Sequence, residues 1–297
     1  MSKAVSFINM KGGVGKTTSS VTLAETYASQ YGRKVLLIDL DAQASASYAL
    51  CGDEAYAQAV ADGKTLAAFF DPLTQDEPLG SMLDFVTPGE SGGDGATIDV
   101  ICAEPSLRYT ERALIEHYYA KRLARVVTGS APEGQTRRVM RDALASMRLK
   151  YDLIVIDCPP GISIFAEAGI TCSDLVVLPT IPDYLSTLGL QELNTKFLRQ
   201  IKRDGKLAGR TAILPTKFEQ NNKTHLSYFR KLETMVRDGE IEAVLLDNAI
   251  AQSGVIARAL DSTNFGLSFK EKYGAAAEDL RAFCQEVTGL LDHEQAA

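Results

Sequence analysis

The hydrophobic positions along the chain fall into short continuous runs separated by longer stretches with helical spacing. Ala4–Asn9 (AVSFIN), Lys34–Asp39 (KVLLID) and Tyr151–Asp157 (YDLIVID) are nearly uninterrupted apolar segments, of the kind a parallel sheet buries on both faces. Leu175–Leu178, Ala212–Pro215 and Ala243–Leu246 continue the series, each followed by a helical stretch. Between the first two strands, Thr17–Tyr31 carries Val21, Leu23, Ala24 and Ala28 toward the sheet, and Gly32 stops it. This alternation predicts an α/β fold with a doubly wound, mostly parallel sheet flanked by helices. Leu107–Val127 and Arg137–Leu149 read as further helices, with Leu114, Tyr118, Leu123, Val139, Met140, Leu144 and Met147 as core positions. The stretch 51–104 is less regular and reads as a variable insertion. Within it Thr65–Phe70 is expected to be a short helix, and Leu83–Thr87 and Thr97–Cys102 to pair as strands across PGESGGDGA. One domain over 1–297 accommodates all of this.

Composition narrows the class. The hydrophobic fraction of 45% supports a large core, and no apolar run approaches membrane-spanning length. The N-terminus passes straight into the first strand, so the expected location is cytoplasmic. Five cysteines without a C-x-x-C pair argue for buried thiols over zinc or a disulfide framework. A formal net charge of −7 disfavours nucleic acid at first sight, but the charge is segregated. Residues 105–150 carry 10 basic against 4 acidic side chains, 196–237 carry 11 against 3, and 151–195 carry none against 6.

The candidate chemistry begins where the first strand ends, in Phe7–Thr18 (FINMKGGVGKTT). Glycines 12, 13 and 15 give a backbone that can curl its N–H groups around an anion, and the following helix adds its positive end. Gly12, Gly13, Val14, Gly15 and Thr18 are the expected cradle, Lys16 the charge on the β- and γ-phosphates, and Thr17 a magnesium ligand. Met10 stands where the G-x-x-x-x-G-K-[ST] pattern has its first glycine, and Lys11 adds a second lysine. Asp39 and Asp41 close the second strand, at the edge where α/β sheets place their chemistry, although either could simply cap the next turn. Asp157 ends a third strand in the Walker B manner, as a candidate for the magnesium shell.

Lys11–Thr18 resembles the K-G-G-x-G-K-T signature of the deviant Walker A ATPases, which comprise the ParA partition proteins, MinD and the nitrogenase iron protein. That resemblance implies a P-loop ATPase using ATP and Mg2+, in an ATP-dependent homodimer where Lys11 reaches the partner subunit's phosphates. The scattered cysteines disfavour the nitrogenase branch. DLDAQAS at 39–45 resembles the partition proteins' D-L-D-P-Q-G-N, with Ala42 for proline and Ala44 for glycine. It implies that Asp41 positions the attacking water and that Asp39 lies near the magnesium. CPPG after Asp157 resembles D-C-P-P-S, with Gly161 substituted. Thr216-Lys217-Phe218 is not the guanine-reading N-K-x-D, so adenine is the expected base.

The basic blocks also form a pattern. Lys196, Arg199, Arg203 and Lys206 are spaced three, four and three apart, and Lys223, Arg230 and Arg237 recur every seven, so each set shares one helical face. Such a strip can hold phosphates without reading bases, and in ParA-like proteins helices of this region contact DNA non-specifically. Lys196, Arg199, Arg203, Lys223 and Arg230 are the candidate DNA contacts. The family's I-P-R-N-V-R stretch appears here as IAQSGV at 250–255, without its arginines. The helix around Leu280–Leu291 carries acidic residues, unlike the basic membrane tail of MinD-like proteins, so no membrane contact is expected. The resemblance implies nucleoid association and a ParB-like or adaptor partner that stimulates hydrolysis. The alternatives are a membrane-cycling ATPase and an ATP-dependent metabolic enzyme of the same fold superfamily.

Overall fold

The apolar runs form one sheet. A computed structural model describes residues 2–89, 97–123, 132–204, 207, 209–261, 264 and 266–292. Its strands are β1 (Lys3–Phe7), β2 (Lys34–Asp39), β3 (Thr87–Pro88), β4 (Thr97–Ile101), β5 (Leu153–Asp157), β6 (Leu175–Thr180), β7 (Arg210–Phe218), β8 (Val244–Leu245) and β9 (Ile250–Ala251). They are ordered β3-β4-β2-β5-β1-β6-β7-β8, with β9 also pairing with β7. Every pairing is parallel except β3 with β4. β1, β5 and β6 are almost wholly buried, as expected where helices cover both faces of a parallel sheet. The expected doubly wound α/β architecture is therefore present.

Register sets the site. Asp157 pairs with Phe7 on one side and with Asp39 on the other, so the carboxyl ends of β1, β5 and β2 finish in one row. Helix Lys16–Tyr31 begins beside that row and ends at Gly32, whose φ of 59° and N–H to the Ala28 carbonyl make a left-handed stop. Its Glu25 is buried, and there it accepts from the Lys272 ammonium and the Tyr273 hydroxyl of helix Phe269–Tyr273. A buried carboxylate requires such partners.

Several expectations are corrected. Leu83–Thr87 is not a strand: Met82–Phe85 turns as a 3-10 helix, with the Ser81 hydroxyl accepting from Leu83 N, and only Thr87–Pro88 pairs with β4. A helix covers Ser45–Ala61, which the apolar spacing does not indicate, with a non-helical Gly52 inside it. Helix Leu107–Leu123 buries Leu114 and Tyr118, but Leu123 is 83% exposed; the residues 124–127 expected to extend it lie outside the described set. The next helix runs Pro132–Met147, starting earlier than the basic and apolar spacing indicates. The Tyr184–Arg203 run is interrupted by a π-helical turn at Asn194–Leu198. No helix among the described residues is long and apolar enough to cross a membrane.

Packing around the row is tight. A Cβ on Gly169, in helix Ile164–Thr171, would lie 2.9 Å from Leu40 Cδ1 and 3.1 Å from Ile156 Cγ2. The Gly169→Ala variant gains about 1 kcal/mol of helix propensity, and overpacking costs about 1–3 kcal/mol. A net change between none and a destabilisation of about 2 kcal/mol is expected in urea unfolding; a variant more stable by the full helix-propensity gain would contradict this packing.

Candidate nucleotide site and basic face

The turn after β1 is built by its glycines and fastened by distant residues. Gly13 (φ 74°) and Gly15 (φ 90°) take left-handed conformations closed to most side chains. Gly12 does not, and a Cβ there would meet nothing within 4 Å, so neither its dihedrals nor the packing of the chain itself calls for glycine at this position. The Asn9 amide donates to the Pro179 carbonyl (2.7 Å), its carbonyl oxygen accepts from Lys11 N (3.1 Å), and the Thr216 hydroxyl donates to the Val14 carbonyl (2.7 Å). The CPPG turn joins the same frame, with Gly161 N donating to the Asn9 carbonyl at 3.3 Å. Gly161 itself has φ 91°, a conformation the serine of the related motif would strain to adopt.

Lys16 opens the helix, is 7% exposed, and donates to the Lys11 carbonyl at 3.3 Å. Burial lowers its pKa, while the carboxylates of Asp157 and Asp41 hold it up. Asp157 is fully buried, and neither of its oxygens has a hydrogen-bond partner among the described residues. Burial, then the charge of Asp39, push its pKa up, against the moderating Thr17 hydroxyl and Lys16 ammonium. An unsatisfied buried carboxylate is costly, and an oxygen-seeking cation such as Mg2+ is the partner that its chemistry and the Thr17 hydroxyl fit.

Asp39 is equally buried but differently employed. Its Oδ1 accepts from Asp41 N (3.0 Å), and its Oδ2 accepts from Ser47 N (2.9 Å) and the Ser47 hydroxyl (2.7 Å). Burial still raises its pKa against those bonds. Asp41 is half-buried, and its Oδ1 accepts from Gln43 N at 3.0 Å. Ala44, where the related motif has glycine, sits at φ 55° and leaves the following helix without a side-chain cap.

Lys11 turns back onto its own chain. Its ammonium lies 3.4 Å from Asp183 Oδ2 and 3.1 Å from the Ser186 hydroxyl. Asp183 caps helix Tyr184–Leu193 through Ser186 N (2.6 Å). Beside it, Tyr184, Leu185 and Leu188 are exposed apolar residues, as is Ile162 after the CPPG turn.

The basic candidates divide by employment. Arg203, Lys223 and Arg230 are exposed, and Lys196 forms an i,i+4 pair with Glu192 at 2.9 Å. Arg199 instead donates to the carbonyls of Gly239 (3.2 Å) and Glu240 (2.8 Å), fastening its helix to the turn that follows helix Lys223–Arg237. Arg237 pairs with Asp238 at 3.2 Å, and Lys206 lies outside the described residues. Sequence spacing did not indicate Ser47, Asp183, Ser186 or Thr216, whose partners lie far along the chain.

Known proteins are similar to this chain in sequence and in fold. The AAA domain family model matches residues 2–208. The sporulation initiation inhibitor protein Soj of Bacillus subtilis is 28% identical over 251 residues, covering 84% of this chain and 85% of that protein. The structure of apo McdA from Cyanothece is similar with a TM-score of 0.73 at 20% identity, covering 98% of this chain and 100% of that one. The structure of pNOB8 ParA bound to nonspecific DNA gives a TM-score of 0.68 at 18% identity, with 99% of each chain covered. These two structural likenesses carry the fold.

Proposed function

Because this chain belongs to the ParA/MinD family of P-loop partition ATPases, we propose that it is an ATP- and Mg2+-dependent positioning ATPase. In this reading it closes into a homodimer around two ATP molecules and holds DNA non-specifically in that state. A ParB-like or adaptor partner then stimulates hydrolysis and releases it. The observation carrying the reading is the buried, unsatisfied Asp157 facing Lys16 at the end of the glycine turn. Magnesium would supply charge neutralisation at the phosphates, with Thr17 and Asp157 as its holders.

The chain's own residues divide the remaining work. The amides from Gly12 to Thr18 and the Lys16 ammonium bind and orient the phosphates. Asp39, occupied by Asp41 N and Ser47, holds the Asp41 segment in place, and Asp41 orients water and accepts its proton. Lys11 offers its ammonium to the partner subunit's phosphates once its pair with Asp183 opens. That pair is about one-third exposed on each side, so opening it costs little. The exposed apolar residues beside it suit a surface that a second copy covers.

DNA contact rests on Arg203, Lys223 and Arg230, with Lys196 as a rim charge. Arg199 supports the fold, so a substitution there would confuse folding with binding. The test is filter binding to random-sequence DNA with and without ATP. Wild-type affinity should require ATP and fall steeply with salt, because phosphate contacts release counterions. Lys223→Glu with Arg230→Glu should weaken it roughly tenfold or more, with DNA-free turnover intact. Binding that ignores salt, or none with ATP present, would remove DNA from the function.

A further inference from the structure

The carboxylate that orients water must itself be held, and Asp41 sits on a short loop after β2. We infer that Ser47 is a positioning residue for hydrolysis, acting on Asp41 through Asp39. This rests on the role given to Asp41 above.

The argument begins with the first turn of helix Ser45–Ala61, whose N–H groups have no intrahelical acceptor. The residue that should cap them, Ala44, has no side-chain oxygen and is left-handed. Asp39, on another element, takes over by accepting from Ser47 N, and its negative charge suits the positive helix end. The Ser47 hydroxyl adds a second bond to the same oxygen at 2.7 Å, using its only proton. A lone pair of that hydroxyl accepts from Ala103 N at 3.0 Å, just beyond the end of β4. Ser47 is fully buried, so no water replaces these bonds.

The other oxygen of Asp39 is the acceptor for Asp41 N. A continuous set of hydrogen bonds therefore runs from Ala103 through Ser47 and Asp39 to the backbone of Asp41. The first carboxylate cannot turn without moving the second. Without the hydroxyl, Ala103 N loses its acceptor and Asp39 Oδ2 keeps one donor of two. Asp39 is then free to rotate toward the remaining donor, and the Asp41 backbone follows. A displacement of about 1 Å in a positioned group costs on the order of 10²-fold in rate. A partial release should cost on the order of tenfold. The phosphate cradle, fastened by Asn9, Pro179 and Thr216, shares none of these bonds, so affinity should not move with rate.

The experiment uses the full chain in single-turnover hydrolysis alongside ATP calorimetry. Ser47→Ala should slow hydrolysis on the order of tenfold and leave ATP affinity within about twofold. Placed on Asp41→Ala, the same substitution should slow hydrolysis no further, since the two act along one path. Ser47→Cys, nearly isosteric but a weak donor, should be slowed in the same direction and serves if the alanine variant does not fold. An unchanged rate in Ser47→Ala or Ser47→Cys, or an equal slowing on the Asp41→Ala background, overturns the inference. Wild-type turnover in Asp41→Ala would overturn the role of Asp41 itself, a result distinct from normal turnover in the Ser47 variants alone.

Discussion

Asp41→Ala should slow ATP hydrolysis by on the order of 10²- to 10³-fold while leaving ATP affinity close to the wild type. Asp41 is half-buried, its backbone held by Asp39 and its carboxylate by Gln43 N, so the substitution removes a reactive group without opening the core. Phosphoryl transfer depends mostly on aligning the nucleophile and neutralising charge. Lys16 and the glycine turn, which remain, supply binding; Asp41 supplies alignment. The variant should therefore accumulate in its ATP-bound state and stay on DNA longer than the wild type. Single-turnover hydrolysis with calorimetry separates the two effects. A wild-type rate would transfer the role to another residue, and a parallel fall in affinity would make Asp41 a binding residue.

Lys16→Ala should have the opposite signature, a loss of ATP affinity of about 10²-fold. The ammonium is buried and already desolvated, and its charge is sustained by Asp157 and Asp41. An incoming phosphate meets a cation that has already shed most of its water, which favours a strong charge-assisted bond. The loop amides alone offset only part of the phosphate charge. Calorimetry showing unchanged affinity would take the phosphates away from this turn.

The placement of these two residues was legible in the sequence because their signals are local: a glycine turn after one strand, and a carboxylate two residues past the end of another. The sheet was legible for the same reason, since continuous apolar runs of strand length admit few other readings. What escaped depends on contacts across the chain. Helix Ser45–Ala61 has a cap-less start at Ala44, a left-handed residue, and a non-helical Gly52 in its middle, so neither a start signal nor an unbroken period marks it. The strand expected over Leu83–Thr87 failed because the Ser81 hydroxyl captures Leu83 N and turns the chain. The helical spacing placed Lys196, Arg199, Arg203 and Lys206 on one face, but the run crosses a π-helical turn at Asn194–Leu198. It could not show that Arg199 is occupied by carbonyls 40 and 41 positions later. Nor could it show that Lys11 meets Asp183, 172 positions away.

The buried bond of Glu25 to Lys272 and Tyr273 has a consequence for the order in which the molecule is made. Synthesis delivers the helix of the phosphate turn well before residues 247 and 248 positions later, which bring its inward carboxylate these two partners. Until then the nascent chain carries an acid on the face that is destined for the interior. A chain stopped before residue 272 would lack both of these donors, so the seating of the helix that carries the phosphate turn is tied to a segment made long after it.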